Sequence, residues 1–141
     1  MNKNAKILAQ VDEMLATWTV DPMHMKSTFI AFKDWLAAQD GVTLDYKARP
    51  GVSFSLRAAH ARQEKRSLFV LVDIVDDEPE NRWLSTCFYA DMVNDPEELG
   101  DFVPEGLMGE DACCLNLDED DDAMRAYMRQ RLEEAAAAAA R

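Results

Sequence analysis

Apolar residues recur with two different periods along the chain, and each period predicts a different kind of element. Over residues 5–18 they recur every three or four positions, which predicts an amphipathic helix. The same spacing continues from Pro22 to about Gln39 and predicts a second helix. Asp21 can cap its exposed N–H groups. Gly41 can adopt the left-handed conformation that often ends a helix, so the chain begins with two predicted helices.

After Gly41 the period changes to two, which is typical of β-strands. The alternation predicts five strands, which span residues 42–47, 52–57, 67–75, 82–93 and 112–117. The third of them, SLFVLVDIV, is apolar on both faces until Asp73, so we predict that it lies inside the sheet. Short turns join the first four strands and predict an antiparallel meander, because parallel neighbours need long crossover connections. Residues 121–134 predict a C-terminal helix, and residues 135–141 an alanine-rich tail, helical or frayed, that buries little.

This order of elements predicts a single α+β domain over residues 1–141. Its sheet is five-stranded and mainly antiparallel, with two N-terminal helices and one C-terminal helix mostly on one face. Alternation gives the face under the helices these residues: Leu44, Tyr46, Phe54, Leu56, Val70, Val72, Ile74, Leu84, Phe88, Met92, Cys113, Leu115 and Leu117.

The second face of the predicted sheet mixes aromatic residues, small hydroxyls and an arginine. It carries Ser53, Ser55, Arg57, Phe69, Leu71, Asp73, Trp83, Ser85, Cys87, Tyr89, Cys114 and Asn116. This composition is typical of interfaces and ligand surfaces. If the sheet curls, or if the last helix covers this face, the same residues are ordinary core.

Charge is distributed unevenly along the chain, whose net charge is −12. Residues 73–122 contain 18 acidic residues and one base, whereas residues 47–66 contain six bases and one acid. Such a chain is well suited to solubility and to steered association, and its acidity argues against binding to nucleic acid.

Three features predict a cytoplasmic protein that does not enter a membrane. No apolar stretch reaches the roughly 20 residues that a membrane-spanning helix needs. Asp12 and Glu13 fall where a signal peptide would need its apolar segment. Cys87, Cys113 and Cys114 are odd in number and lack the spacing of a disulfide framework, which agrees with a reducing compartment.

The stretch GEDACCLNLDEDDD at residues 109–122 raises the question of metal binding. An EF-hand loop beginning at Asp118 would place Ala123 where a glycine is needed and Arg129 where a bidentate glutamate is needed. The two adjacent cysteines point to opposite faces of a strand, so they cannot readily share one metal ion. We therefore predict a strand that runs into a helix here, with no metal and no cofactor.

Catalytic signatures are missing from the sequence, which has no P-loop, dinucleotide-binding, zinc-protease or nucleophile-elbow motif. Cys87, Cys114 and His60 could converge across strands as a zinc or nucleophilic site. The alternative, in which the cysteines are small apolar side chains of the strands, is favoured.

The segment 94–111 is longer than packing requires, and we predict that it is a loop laid across a sheet edge or a partner. Its apolar residues and the second face supply the candidate binding residues, which are Arg57, Trp83, Tyr89, Arg49, Phe102 and Met108. Arginine offers a fixed fork of donors, and tryptophan and tyrosine offer a large apolar area with a polar group.

Together these features predict a small binding or adaptor protein without evident catalytic machinery, which binds a protein partner or forms a homodimer. The alternative is an enzyme or sensor that holds a small molecule between the 94–111 loop and the second face. In size, charge and fold class the chain resembles bacterial secretion chaperones, with which it shares no motif. The resemblance implies a chaperone-like binding role.

Overall fold

The computed structural model describes residues 3–141 as an α+β arrangement of helices and strands. In chain order the elements are α1 (Lys3–Thr17), α2 (Met25–Ala38), β1 (Val42–Arg49), β2 (Ser53–His60), β3 (Val70–Val75), β4 (Trp83–Tyr89), β5 (Asp101–Leu107), β6 (Glu110–Leu117) and α3 (Asp122–Ala139). A short 3₁₀ turn, Ala90–Met92, follows β4. The predicted α+β class and the numbers of helices at the two ends of the chain are confirmed.

The strands form one antiparallel sheet in the order β1-β2-β3-β4-β6-β5. The first four strands are neighbours in sequence order, which confirms the predicted meander. β3 lies between β2 and β4, so the prediction that residues 67–75 are internal is also confirmed.

The prediction of five strands is wrong, because the described residues form six. The additional strand, β5, lies in the segment predicted as a loop and pairs with β6 at the edge of the sheet. Its register shifts between Val103 and Leu107, and Pro104 falls in this irregular part, where proline costs no ladder hydrogen bond. A two-residue turn with positive φ at Met108 and Gly109 then joins β5 to β6.

All three helices pack on one face of the sheet and form one hydrophobic core with it. Several strand residues on this face have no exposed surface, namely Leu44, Leu56, Val72, Ile74, Leu84 and Leu115. Phe69, predicted on the second face, is instead fully buried in this core, because it precedes β3.

The helix termini have the predicted capping residues, but α2 begins later in the chain than expected. α2 begins at Met25, three residues after the expected Pro22, yet Asp21 still accepts hydrogen bonds from the N–H groups of Met25 (2.8 Å) and Lys26 (3.0 Å). Asp121 caps α3 by accepting from the N–H of Met124. The acids before α3 therefore mark a helix start, as the sequence indicates.

The alanine-rich tail differs from the prediction that it buries little. α3 continues to Ala139, and Ala135, Ala136 and Ala139 are all buried in the main core. Their small side chains allow the helix backbone to lie close to its neighbours, so the tail belongs to the core.

Candidate functional site

The sheet face opposite the helices is the most informative surface of the molecule. We define this outer face by Asp45, Lys47, Arg49, Ser53, Ser55, Arg57, Leu71, Asp73, Val75, Trp83, Ser85, Cys87, Asp101, Cys114 and Asn116. Within residues 3–141 no helix residue of the core packs on it, and the residues of β3 and β4 on this face are mostly half-buried. Part of this burial comes from a small cluster that includes Leu68 and Leu107, against which Leu71 and Cys114 pack. The rest of the face is available for contact.

A row of polar side chains crosses the outer face from one strand to the next. The sheet register places the following residues side by side: Lys47, Ser55, Asp73, Ser85 and Asn116. A row of this kind gives the centre of the face directional hydrogen-bonding groups.

Asp73 lies in the middle of this row and is incompletely paired. Ser55 donates a hydrogen bond to its carboxylate, whereas Oδ1 is enclosed and has no hydrogen-bond partner among the described residues. Burial raises the pKa of Asp73, against the opposing effects of Ser55, Arg57 and Arg49. An enclosed acceptor without a partner is costly, and a partner that donates a hydrogen bond would relieve that cost.

Two arginines border the row and keep donors free for a partner. Arg57 donates from Nε to Ser55 Oγ, and Arg49 donates from a terminal nitrogen to Ser53 Oγ, both over 3.4 Å. Both contacts are long, and neither arginine is among the ion pairs formed within residues 3–141. Arg57 is half-buried and Arg49 is exposed. The two candidate arginines therefore lie on the outer face, and no ion pair among the described residues neutralises their charges.

Apolar side chains lie beside the polar row. Val75 and Trp83 are cross-strand neighbours, and both are half-buried on the outer face. Leu71 lies on the other side of the row, next to Cys87. The face thus has apolar side chains on both sides of the polar row.

The cysteines are arranged differently from the expectation that all three are reduced. Cys87 and Cys114 lie directly opposite each other on β4 and β6 and form a disulfide on the outer face. The adjacency of the two sulfurs follows from the strand register, which cysteine spacing alone does not reveal. Cys113 points to the helix side as a buried free thiol, and burial raises its pKa.

The open alternative of a site built from Cys87, Cys114 and His60 is not formed. His60 occupies a helix-side position of β2, beside Gly41, whereas the disulfide lies on the outer face. In the part of the chain that the structure describes, no three or more histidine, cysteine or acidic side chains are placed to hold a metal ion.

Tyr89 does not offer its ring to a partner, because only 1% of it is exposed. Arg66 lies 3.9 Å from the ring centroid, and Leu107 from the β5–β6 hairpin packs in the same small cluster. Arg66 is held in turn by Asp91 at 2.9 Å and Glu110 at 2.7 Å. Hydrogen bonds from Arg66 lower the pKa of both acids. The cluster therefore anchors the hairpin, a role that the sequence did not assign to Arg66.

The candidates in the 94–111 segment are exposed but separate. Phe102 is 64% exposed and lies opposite Cys113, so it faces the helix side of the sheet edge. Met108 is 65% exposed in the hairpin turn and lines a cavity of about 170 Å³ with Arg57 and Leu68. The structure therefore brings Arg49, Arg57 and Trp83 onto one face, adds Met108 at its margin and leaves Phe102 elsewhere.

A comparison of the chain with protein-family models, with curated proteins and with solved structures gave no match. Among residues 3–141 there is no helix with the length and apolar character needed to cross a membrane.

Proposed function

We propose that the protein is a small adaptor or chaperone-like binding module that contacts protein surfaces through the outer face. The observation that carries this proposal is Asp73, whose enclosed oxygen lacks a partner at the centre of a sheet face that no helix among residues 3–141 covers. A sheet whose second face only met water would have no reason to enclose an unpaired carboxylate there.

The dimensions of the outer face support a protein partner. Six strands about 4.8 Å apart and about 25 Å long make a face of roughly 700 Å², part of which the β5–β6 hairpin and Leu68 already cover. Stable protein interfaces bury about 800 Å² on each partner. Trp83 and the arginines are residue types that often dominate the binding energy of such interfaces. The net charge of −12 weighs against nucleic acid as the partner.

The alternative, an enzyme or sensor with a small-molecule pocket, has less support. The cavity between the hairpin turn and the outer face measures about 170 Å³. Drug-sized ligands usually occupy about 300–1,000 Å³. Arg57 lines this cavity, whereas Trp83 and Tyr89 do not. Segment 94–111, expected as a loop beside the ligand in that alternative, instead contains β5 (Asp101–Leu107) and the start of β6.

The cellular compartment is part of the same proposal, and two observations favour different compartments. The sequence favours the cytoplasm, whereas a disulfide is more typical of an oxidising compartment. Counting free thiols in protein that is alkylated inside native cells decides between them. One reactive thiol per chain would reject a reducing cytoplasm, and three would support it.

Site-specific photo-crosslinking in native cells tests the proposed binding face. A photoreactive residue at Ser85 or Lys47 on the outer face should capture protein, whereas one at exposed Asp34 on α2 should not. Thermal unfolding of each labelled variant shows that it is folded. Equal capture at all three positions, or none at the outer face, would contradict the proposal.

Trp83→Ala provides a second test, because Phe88 on the same strand is a matched control. Phe88 is fully buried on the helix side, so Phe88→Ala should cost about 3–5 kcal/mol of unfolding free energy. Trp83 is half-buried on the outer face, so Trp83→Ala should cost clearly less while it weakens the capture at Ser85. If both variants lose similar stability, Trp83 serves the core.

A further inference from the structure

We propose that the free edge of β1 binds an extended segment of a partner protein, which adds to the sheet as a further strand. The segment carries apolar residues at the positions that face the helix side and acidic residues at the positions between them. This edge is a different surface from the outer face, so the inference goes beyond the proposed function. Strand addition takes its affinity from main-chain hydrogen bonds and its specificity from alternate side chains.

The first observation is the regularity of this edge. β1 lies at one end of the sheet and pairs with β2 over all eight of its residues without a register shift. β5 lies at the opposite end, is irregular between Val103 and Leu107 and contains Pro104. Irregularity and proline protect an edge from further pairing, whereas a long regular strand favours it. Of the two edges, β1 is therefore the one suited to another strand.

The main-chain groups of this edge are paired in its first half and mostly free in its second half. Asn4 of α1 accepts from the N–H of Leu44 over 2.8 Å and donates to the carbonyl of Val42 over 2.9 Å, as a neighbouring strand would. Main-chain direction alternates along a strand, so Tyr46 and Ala48 also point their groups away from β2. Both groups of Ala48 and the carbonyl of Tyr46 have no hydrogen-bond partner within the described part of the chain.

An antiparallel strand satisfies these groups with one of its residues placed opposite Ala48. That residue exchanges two hydrogen bonds with Ala48, and the residue two positions further along donates to the carbonyl of Tyr46. The N–H of Tyr46 is now held by the Asp45 carboxylate over 2.9 Å, and a carbonyl of the added strand takes its place. The edge therefore gains hydrogen bonds to its free groups and exchanges one acceptor for another.

A groove on the helix side of the same half of the edge can receive apolar side chains. It measures about 560 Å³ and is lined by Met14 of α1, by Tyr46 and Ala48 of β1 and by Phe54 of β2, among others. Met14 and Phe54 are buried against the main core, so they form an apolar floor. Residues directly opposite each other on paired strands share a face. The partner residues opposite Tyr46 and Ala48 therefore point into this groove and should be apolar.

The outer side of the same edge determines the charge of the partner. Lys47 and Arg49 are exposed there and form no ion pair among the described residues. Partner residues on either side of the one opposite Ala48 lie opposite these two bases, and opposite charges at such positions stabilise a pair of strands. The net charge of −12 repels an acidic segment at long range. Screening over about 8 Å leaves the nearest charges to decide.

A second copy of this chain fits the edge less well than a partner segment. Two β1 strands that pair around Ala48 would set Lys47 of one copy against Arg49 of the other, and strands that pair around Lys47 would set two lysines together. Like charges at opposing positions are destabilising. Pairing around Tyr46 is obstructed by Asn4, which already holds the next main-chain groups of the edge.

A short synthetic peptide in which valine alternates with glutamate tests the edge directly. Added to the isotopically labelled full chain, it should shift the amide resonances of Lys47 and Ala48 with a Kd below about 1 mM. Because the N–H of Ala48 gains an acceptor, its hydrogen exchange should slow by at least about tenfold in the complex. The absence of saturable shifts at this edge up to about 1 mM peptide would overturn the inference.

Two methylated forms of the peptide form a matched pair. Methylation of the valine nitrogens removes the donors that face the edge and keeps every side chain, so it should weaken binding by at least about tenfold. Methylation of the glutamate nitrogens, which face away from β1, should leave binding nearly unchanged. Equal binding of the two forms would reject strand addition. A peptide with lysine in place of glutamate should bind more weakly than the parent, and equal or tighter binding would reject the assigned charge.

Ala48→Pro tests the same contact from the side of the protein. Proline is tolerated on an edge strand where the N–H faces away from its neighbour, so the β1–β2 ladder should remain intact. The variant should bind the parent peptide at least about tenfold more weakly. Ala48→Ser retains the N–H and should bind like the wild type. Thermal unfolding shows whether each variant is folded, and if Ala48→Pro is not, the methylated peptides decide.

Sedimentation equilibrium tests the other occupant of the edge. A dimer of the full chain that Ala48→Pro converts to the monomer mass of 15.9 kDa would reject the partner segment and assign the edge to a second copy. The same mass for the wild type and for Ala48→Pro supports the inference. Capture at Ser85 on β4 does not depend on these results, so a failure at the β1 edge leaves the proposed function standing.

Discussion

Asp73 lowers the stability of the isolated folded chain, because one of its carboxylate oxygens is enclosed without a hydrogen-bond partner. Its pKa is raised above the usual value by burial, so the folded state disfavours the charged form. The sequence shows Asp73 as a lone acid in an apolar strand. It cannot show that one oxygen is enclosed, because the enclosure comes from neighbours on β2 and β4.

We expect Asp73→Asn to stabilise the isolated chain at neutral pH, on the order of 1 kcal/mol. The folded-state pKa lies above the unfolded value of about 3.9, so the folded state binds the proton more tightly. The stability of the wild type therefore falls as the pH rises from the unfolded pKa through the folded pKa, and the deficit persists at higher pH.

Urea denaturation at about pH 3 and about pH 7 measures this difference. The variant should gain its advantage at the higher pH alone. Asp45→Asn, at an exposed position of the same face, is the control and should change little at either pH. A gain at low pH that equals the gain at neutral pH would contradict the explanation by charge.

The Asp76–Arg82 ion pair is a second feature at the residue scale that the sequence did not reveal. The acid-rich segment around Asp76 reads as a solvated turn, yet only 3% of Asp76 is exposed. Arg82 Nε donates to Asp76 Oδ1 over 2.7 Å, and the N–H of Gly51 donates to Oδ2 over 2.8 Å. The guanidinium also lies over the Trp18 ring at 5.5 Å, so the pair ties β3 and β4 to the β1–β2 turn and the core.

Asp76→Ala should cost about 3–5 kcal/mol of unfolding free energy, because it leaves Arg82 buried without its counter-ion. The exposed pair Arg129–Glu133 on α3, joined over 3.0 Å, provides the comparison. Glu133→Ala should cost no more than about 0.5 kcal/mol. Chemical denaturation of the two variants checks the contrast, and similar losses would show that burial of the first pair contributes nothing.

At the scale of elements, the period of the hydrophobic pattern predicts the helices and strands that carry this period in their own sequence. The helices, β1 to β4 and β6 each carry their own period, and the structure has them close to the expected positions. β5 carries no such period, because Gly100, Pro104 and Gly106 interrupt it. It becomes a strand by pairing with the free edge of β6, and this tertiary influence is invisible in a local pattern.

The end of α3 was mispredicted for a related reason. Alanine buries little area by itself, so an alanine run carries no signal for the side that faces the core. The structure supplies the missing information: Ala135 is fully buried, whereas Ala137 is exposed.

Ala135→Asp and Ala137→Asp form a matched pair at this helix end. Both place an acid at the unfavourable negative end of the helix dipole and share the same cost in helix propensity, together about 1 kcal/mol. Ala135→Asp in addition buries a charge without a partner and should cost at least about 2–4 kcal/mol more. Thermal unfolding of both variants measures the difference. Equal effects would show that the tail frays in solution.

At the scale of the whole molecule, the sequence predicts two sheet faces but not which of them stays open. Alternation assigns Ser53, Arg57 and Trp83 to the second face correctly. Whether the last helix crosses to that face depends on where the sheet, extended by β5 and β6, leaves room for α3. The residues of the site could therefore be predicted from the sequence. Whether a helix covers them could be seen only in the folded structure.

The Cys87–Cys114 disulfide also joins distant parts of the chain, since the two residues are 27 positions apart. In the folded state β4 and β6 are already held together by their ladder of hydrogen bonds. The bond should therefore stabilise the protein chiefly by restricting the unfolded chain, and a loop of this size corresponds to about 3.5 kcal/mol.

We expect the double variant Cys87→Ser, Cys114→Ser to fold into the same sheet with an unfolding free energy lower by up to about 3.5 kcal/mol. Urea denaturation with and without a reductant measures the effect, and the double variant is its own control, because reductant should not change it. Reductant should move the wild type to the midpoint of the variant. If the wild type has one free thiol yet unfolds at the same midpoint with and without reductant, the bond does not restrict the unfolded chain. In that case the value of the disulfide lies on the outer face, where it replaces two thiols with an apolar bridge beside Leu71.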